Sequence, residues 1–163
     1  MEGKMNALLK TAPEPDAMQY VEDFPIPQIK EDEVLLEIKA AGICGTDHSL
    51  YRWNEAIANS YNIQWPAIFC HEFSGVIAEV GPKAPANLKV GMRVTANPIL
   101  YDDTCEWCDR GMVNICDNRP FYGTDLPGAF AKYMAIRGIN VIPMPENIPF
   151  TQAALMEPLC VAM

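Results

Sequence analysis

Fourteen prolines and ten glycines are spread along 163 residues and cut the chain into short segments. Proline fixes its own φ and offers no backbone donor, so neither a long helix nor an uninterrupted central strand can cross one. Between these breaks lie β-prone apolar runs over residues 5–10, 18–23, 34–41, 74–81, 91–96, 128–136 and 140–144. Short strands punctuated by turn residues predict a β-barrel or sandwich with few helices. Pro13-Glu14-Pro15-Asp16 marks the first turn, and residues 54–65 read as a polar, irregular loop. Helix is expected over 46–53, capped by Thr46 or Asp47, with Tyr51 and Trp53 as wall residues. A second helix is expected from Thr151 onward, with Pro158 forcing a kink or a late start.

Half of the residues are hydrophobic and 20% are charged, the balance of a folded domain rather than a disordered chain. No apolar run approaches the roughly 18 residues of a membrane span, and Met1-Glu2-Gly3-Lys4 leads into no signal-peptide core. A cytoplasmic protein without a membrane partner is expected. The net charge of −9 with scattered basic residues argues against nucleic acid as a partner. Six cysteines without an export signal point to metal binding rather than to a disulfide framework.

His71 and Glu72 stand side by side at the start of an apolar, β-prone run. Adjacent strand residues face opposite ways, so holding one ion with both requires an irregular turn. Cys44 lies upstream between Gly42 and Gly45, which allow the backbone to turn tightly and present the thiol, and Glu157 lies downstream. Thiolate, imidazole and carboxylate together are the mixed donor set of a catalytic zinc. Cys105, Cys108 and Cys116 cluster separately in the polar stretch 102–119.

The order and spacing of Gly42-Ile43-Cys44-Gly45-Thr46-Asp47, His71-Glu72 with Gly75 and Gly81, the cysteine lobe, Gly128-Ala129-Phe130-Ala131 and Glu157-Pro158 carry a resemblance across essentially the whole chain. The sequence resembles the N-terminal catalytic part of zinc-dependent medium-chain alcohol and polyol dehydrogenases. The resemblance implies a single GroES-like, partly open β-barrel over residues 1–163. It makes Cys44 and His71 zinc ligands, with Glu72 a ligand or immediate neighbour. Glu157, followed by Pro158 and Leu159 as in sorbitol-dehydrogenase-like members, would reach the zinc directly or through its water, with Cys160 as a reserve candidate. Thr46 would hydrogen-bond the substrate oxygen and pass its proton outward. The family often places a histidine five residues after the cysteine to continue that relay; here Ser49 holds the position, and His48 reads as a surface residue. Cys70 stands where the family usually has glycine and is expected to be a packed thiol. In the lobe, Asp102 takes the place of the first of four cysteines, so Asp102, Cys105, Cys108 and Cys116 would form a structural zinc site, with Asp103 able to substitute.

The implied reaction is reversible alcohol oxidation, with zinc as Lewis acid and NAD or NADP as hydride acceptor. No Gly-x-Gly-x-x-Gly follows a strand here. A Rossmann domain is therefore expected beyond this chain, which is read as truncated before it and inactive alone. A small alcohol, best a polyol or sugar alcohol, is the expected substrate, and the parent enzyme is expected to be a homo-oligomer. Tyr51-Arg52-Trp53-Asn54-Glu55 is similar to threonine dehydrogenases, the alternative within the family. Outside it, the alternative is a non-catalytic zinc-binding scaffold.

Overall fold

The computed structural model describes residues 3–163. Strands β1 (Lys4–Lys10) and β2 (Met18–Pro25) form an antiparallel pair. Strands β3 (Glu33–Ala41), β4 (Phe73–Val80), β5 (Arg93–Ala96), β6 (Tyr133–Arg137) and β7 (Val141–Pro143) form an antiparallel sheet ordered β6-β3-β4-β5-β7. The free edge of β1 bonds the chain before β6, through Leu8 N to Phe130 O at 2.8 Å and Lys132 N to Asn6 O at 2.9 Å. The two sheets thereby curl toward each other without closing completely, a mainly β architecture with a few short helices.

The apolar pattern explains this layering. Val34 and Leu36 face the main core with Phe73, Ile77, Val94, Met134 and Ile136, while Leu35 points the other way onto Met5 and Ile26. Both faces of β3 are thus covered where it starts, so Val34-Leu35-Leu36 is continuously apolar and fully buried. Register slips in the β3–β4 pairing lie between Leu35 and Leu36 and between Ile38 and Ala40, the second close to where the chain leaves for Cys44.

The helices are short: α1 (Gly45–Tyr51), α2 (Glu55–Ala58), α3 (Glu106–Asp109), α4 (Phe150–Ala153) and α5 (Met156–Ala162). Four local expectations change. The cap of α1 is Cys44, not Thr46 or Asp47; Asp47 is the third helical residue, and its Oδ2 accepts from the Cys44 N–H at 2.9 Å in a capping box. The loop after Trp53 holds α2, because the Asn54 side chain accepts from the N–H groups of Ala56 and Ile57. The terminal helix is two helices, and Thr151 caps neither; Pro158 sits in the first turn of α5, where a missing N–H costs nothing. The strand expected over 128–136 is regular only from Tyr133, its first half making an isolated bridge from Ala131 to Ala7. No helix among the described residues is long and apolar enough to cross a membrane.

Candidate metal centre

His71 and Glu72 end the connection into β4, and Cys44 begins α1. One thiol sulfur, one imidazole nitrogen and one carboxylate oxygen from these residues all lie within 4.8 Å of one another. Two ties hold the turns together. Gly42 N donates to Glu72 O at 2.7 Å, and the Asp47 carboxylate accepts from Cys44 N at 2.9 Å and from Cys70 N at 3.1 Å. Asp47 is only 4% exposed. One buried carboxylate therefore clamps the segment that presents the thiol to the segment that presents the imidazole. Gly42 leaves the room Glu72 needs, since a Cβ there would fall 2.2 Å from Glu72 Oε2.

His71 is 4% exposed, and burial pushes its pKa below the usual range against the opposing pull of Glu72. A neutral imidazole is the ligating form. Its Nδ1 is buried with no hydrogen-bond partner among the described residues. An orphaned imidazole nitrogen beside a thiol and a carboxylate is the donor chemistry a zinc ion satisfies, so the residues present fit the ion. The imidazole ring also meets Phe121 edge-on, centroids 4.9 Å apart.

Glu157, the second helical residue of α5, lies outside the 4.8 Å cluster. Burial, and then repulsion from the Glu72 carboxylate, raise its pKa. A cation shared by them would relieve that repulsion. Glu157 and Cys160 line one cavity of about 460 Å³ with Met156 and Ile142, as expected for residues three apart on a helix, although Cys160 is largely exposed. Thr46 is half-buried in the first turn of α1, and His48 is exposed. Tyr51 is 40% exposed and lines an apolar hollow with Ile43 and His48, while Trp53 packs on the cluster around Leu50 and Phe69 and against the ring of Trp65.

Cys70 is fully buried, as a packed thiol should be, but adopts φ +84°, the left-handed region that favours glycine. Its sulfur rests 3.5 Å from Gly42 O and 3.4 Å from Glu72 O, and burial pushes the thiol pKa to about 12. It behaves as a filler between the two ligand-bearing turns.

The second cluster unites Cys105, Cys108 and Cys116, whose sulfurs lie within 4.8 Å of one another. Backbone N–H groups of Asp117 and Cys108 hold the Cys105 thiol below its usual pKa, favouring the thiolate. Asp102 stands beside this triangle without joining it. Its Oδ1 lies 3.4 Å from Cys116 Sγ and accepts from Thr104 N at 3.0 Å, a bond that keeps the carboxylate ionised. Asp103 is exposed at φ +62°. All six cysteines are free.

Two residues with no motif of their own join the site. Phe121 packs on His71, and Tyr61 lines a cavity beside it. The only hint in the sequence was their position, one in the loop after Trp53 and one five residues beyond Cys116.

Residues 30–146 match the alcohol dehydrogenase GroES-like domain, and the chain belongs to that family. It is 35% identical over 98% of its length to the L-threonine 3-dehydrogenase of Mesorhizobium japonicum, of which it covers 45%. Among solved structures it resembles galactitol-1-phosphate dehydrogenase from Escherichia coli, with a TM-score of 0.84 and 30% identity over 96% of this chain and 43% of that one. It also resembles an Escherichia coli alcohol dehydrogenase complexed with NADH, with a TM-score of 0.84 and 29% identity over 98% of this chain and 44% of that one. The chain spans less than half the length of these relatives. Its fold is the GroES-like domain of medium-chain dehydrogenases.

Proposed function

We infer that this chain is the catalytic part of a zinc-dependent oxidoreductase that moves hydride between an alcohol carbon and NAD or NADP. The observation that carries the reading is the thiol–imidazole–carboxylate cluster, its imidazole and carboxylate buried and its thiol half-buried, with the orphaned His71 Nδ1. Cys44, His71 and Glu72 would hold the catalytic ion, with Glu157 as the fourth donor and second carboxylate. Bound there, zinc supplies Lewis acidity that makes a substrate hydroxyl easier to deprotonate. Thr46 accepts the substrate's proton, since a hydroxyl donates and accepts at once. Glu72 and Glu157 balance the ion's charge, and the burial of His71 and Glu72 excludes water. Asp102, Cys105, Cys108 and Cys116 would hold a second, structural ion.

No Gly-x-Gly-x-x-Gly follows a strand among these 163 residues, and this chain alone is expected to turn over no alcohol. Six free thiols suit a reducing, cytoplasmic setting. The threonine dehydrogenase relative favours a 2-amino-3-hydroxy acid as substrate. Glu157-Pro158-Leu159 and the likeness to galactitol-1-phosphate dehydrogenase favour a polyol or its phosphate as the second reading.

The test is zinc per chain by elemental analysis on wild type, Cys44→Ala and Cys108→Ala, followed by NAD and NADP reduction by the full-length enzyme with L-threonine and with sorbitol. Two ions, each lost with a different variant, support the two-site reading. Metal-replete protein without zinc overturns it, and zinc without turnover on any alcohol assigns the chain to a scaffold instead.

A further inference from the structure

Among the described residues β6 is an end strand of the five-stranded sheet, and its pairing with β3 leaves one side open. Glu33 and Arg137 stand opposite each other without exchanging a ladder bond. Glu33 N donates to Lys30 O at 3.1 Å, and Glu33 O accepts from Gly81 N at 2.8 Å. Arg137 N donates instead to the Tyr122 hydroxyl at 3.1 Å. Bonded and non-bonded pairs alternate along an antiparallel ladder, and the β3–β6 register runs unbroken from Glu33 to Glu37. The ladder bonds therefore fall on Met134 and Ile136, and Ala135 and Tyr133 turn their N–H and C=O groups away from β3. Strand β1 does not cover them, because its bonds to this stretch end at Phe130 and Lys132.

A cavity of about 420 Å³ lies against this open edge. Residues from both faces of β6 line it, Tyr133, Ala135 and Arg137 on one face and Met134 on the other. Met5 of β1, Phe24 of β2 and Leu126 add apolar wall. The charged residues on the cavity pair with one another. Arg137 Nε donates to Asp32 Oδ2 at 3.0 Å and its Nη1 to Tyr101 O at 3.2 Å, while Lys30 Nζ stands 3.7 Å from Glu33 Oε1. An ionic ligand would have to compete with these partners; a neutral one would not.

We propose that this cavity binds a small neutral cyclic amide, a lactam carried on an apolar body. With Arg137 N held by Tyr122, Ala135 is the outward-facing residue at the middle of β6. The ligand carbonyl accepts from Ala135 N and the ligand N–H donates to Ala135 O, the exchange a neighbouring strand would make. The ring matters because it holds the amide cis, with donor and acceptor side by side. An open-chain amide is trans, points the two groups opposite ways and meets only one of them. The apolar body takes the space beside Met5, Phe24 and Leu126. Cys44, His71 and Glu72 do not line the cavity, so the site is separate from the metal centre and stands whatever reaction that centre performs.

The test is a titration of the zinc-replete chain with oxindole, a neutral aromatic lactam, followed by backbone amide NMR. Oxindole should bind with a Kd of roughly 0.1–5 mM, the reach of a ligand of about ten heavy atoms, with its largest shifts at Tyr133 to Arg137. N-Methyloxindole, which lacks the donor, and indole, which lacks the carbonyl, should each bind about 3- to 10-fold more weakly. In the free protein the Ala135 N–H should exchange faster than those of Met134 and Ile136, and oxindole should slow it. Ala135→Leu, whose longer side chain fills part of the cavity, should abolish binding. Equal affinity for all three compounds would make the cavity a plain apolar hollow and overturn the proposal. So would an Ala135 N–H as protected as its neighbours in the free protein, which needs no variant to measure. Shifts confined to the turns around Cys44 and His71, or binding undiminished in Ala135→Leu, would overturn it as well.

Discussion

The two sulfur-bearing clusters are built on opposite principles. Cys44, His71 and Glu72 hang from the ends of β3 and β4, tied by Asp47 and by Gly42 N to Glu72 O, with the main core directly beneath. Cys105, Cys108 and Cys116 sit on a four-residue helix and a single 3₁₀ turn, and none of the four apolar clusters among the described residues draws on residues 102–119. Cys108 and Cys116 are buried by the lobe's own loops, with Asp103, Glu106, Arg110 and Met112 exposed around them. The first cluster is preorganised by packing; the second has little except its donors to define it. Metal at the first site would add chemistry, and metal at the second would add the structure itself.

Chelation should therefore separate them most sharply. Structural zinc sites contribute apparent binding energies of about 10 kcal/mol or more, which in a loop without a core is folding energy. Hydrogen exchange with and without a strong chelator should show protection lost throughout 102–119 while β3 and β4 exchange as before. Equal loss in β3 and β4 would break the contrast.

Asp47→Ala tests the preorganised side. It strips the partner from two backbone N–H groups, Cys44 and Cys70, at a site only 4% exposed. At about 1–3 kcal/mol per unpaired buried donor, the cost should be about 2–6 kcal/mol in urea unfolding. Zinc should fall by one ion per chain, the lobe keeping its own. A variant that keeps both ions and its stability would show that the strands alone position the ligands.

Alkali probes the floor of the same region. Tyr122, next to Phe121, accepts from Arg137 N at 3.1 Å, and burial raises its phenol to about 12. The unfolded chain ionises near 10 and the folded one near 12, so the folded state binds more protons between these values. Stability should thus fall as pH rises through that window, by up to about 2–3 kcal/mol from this group, and Tyr122→Phe should shrink the slope by that share, the buried Cys70 thiol supplying a further part. Unfolding free energies measured from pH 9 to 12 would show it.

The same contrast explains what could be read in the sequence. Strand positions came through within a few residues because Pro and Gly fence the apolar runs, and six of the candidate donors come together in two groups, singled out by six thiols and two imidazoles in 163 residues, while Glu157 and Asp102 stay outside them. Asp47 read only as a possible cap; that its carboxylate spans from Cys44 to Cys70 depends on a fold contact 23 residues apart in the chain. Tyr61 and Phe121 carry no motif, and their roles arise where two loops meet over Asp125. The placement of Thr46 as a cap failed for a local reason: the helix begins one residue earlier, so Cys44 both caps α1 and offers its sulfur to the cluster.

Cys70 gives the smallest effect and the finest test of how tightly the first cluster is packed. At an ordinary helical or strand position glycine is about 0.5–1 kcal/mol worse than alanine, from the freedom it adds to the unfolded chain. At φ +84° any Cβ opposes the backbone, by about 1–2 kcal/mol on the usual left-handed penalty. Both Cys70→Ala and Cys70→Gly lose the sulfur lodged between Gly42 O and Glu72 O, but only the glycine variant also releases the Cβ. The usual order should therefore invert, with Cys70→Gly as stable as Cys70→Ala or up to about 1 kcal/mol more so. Chemical denaturation of the pair decides it. If alanine proves the more stable by its customary margin, the turn before His71 relaxes freely around its side chain, and the clamp from Asp47 to Cys70 N, rather than close packing, sets the geometry of the ligands.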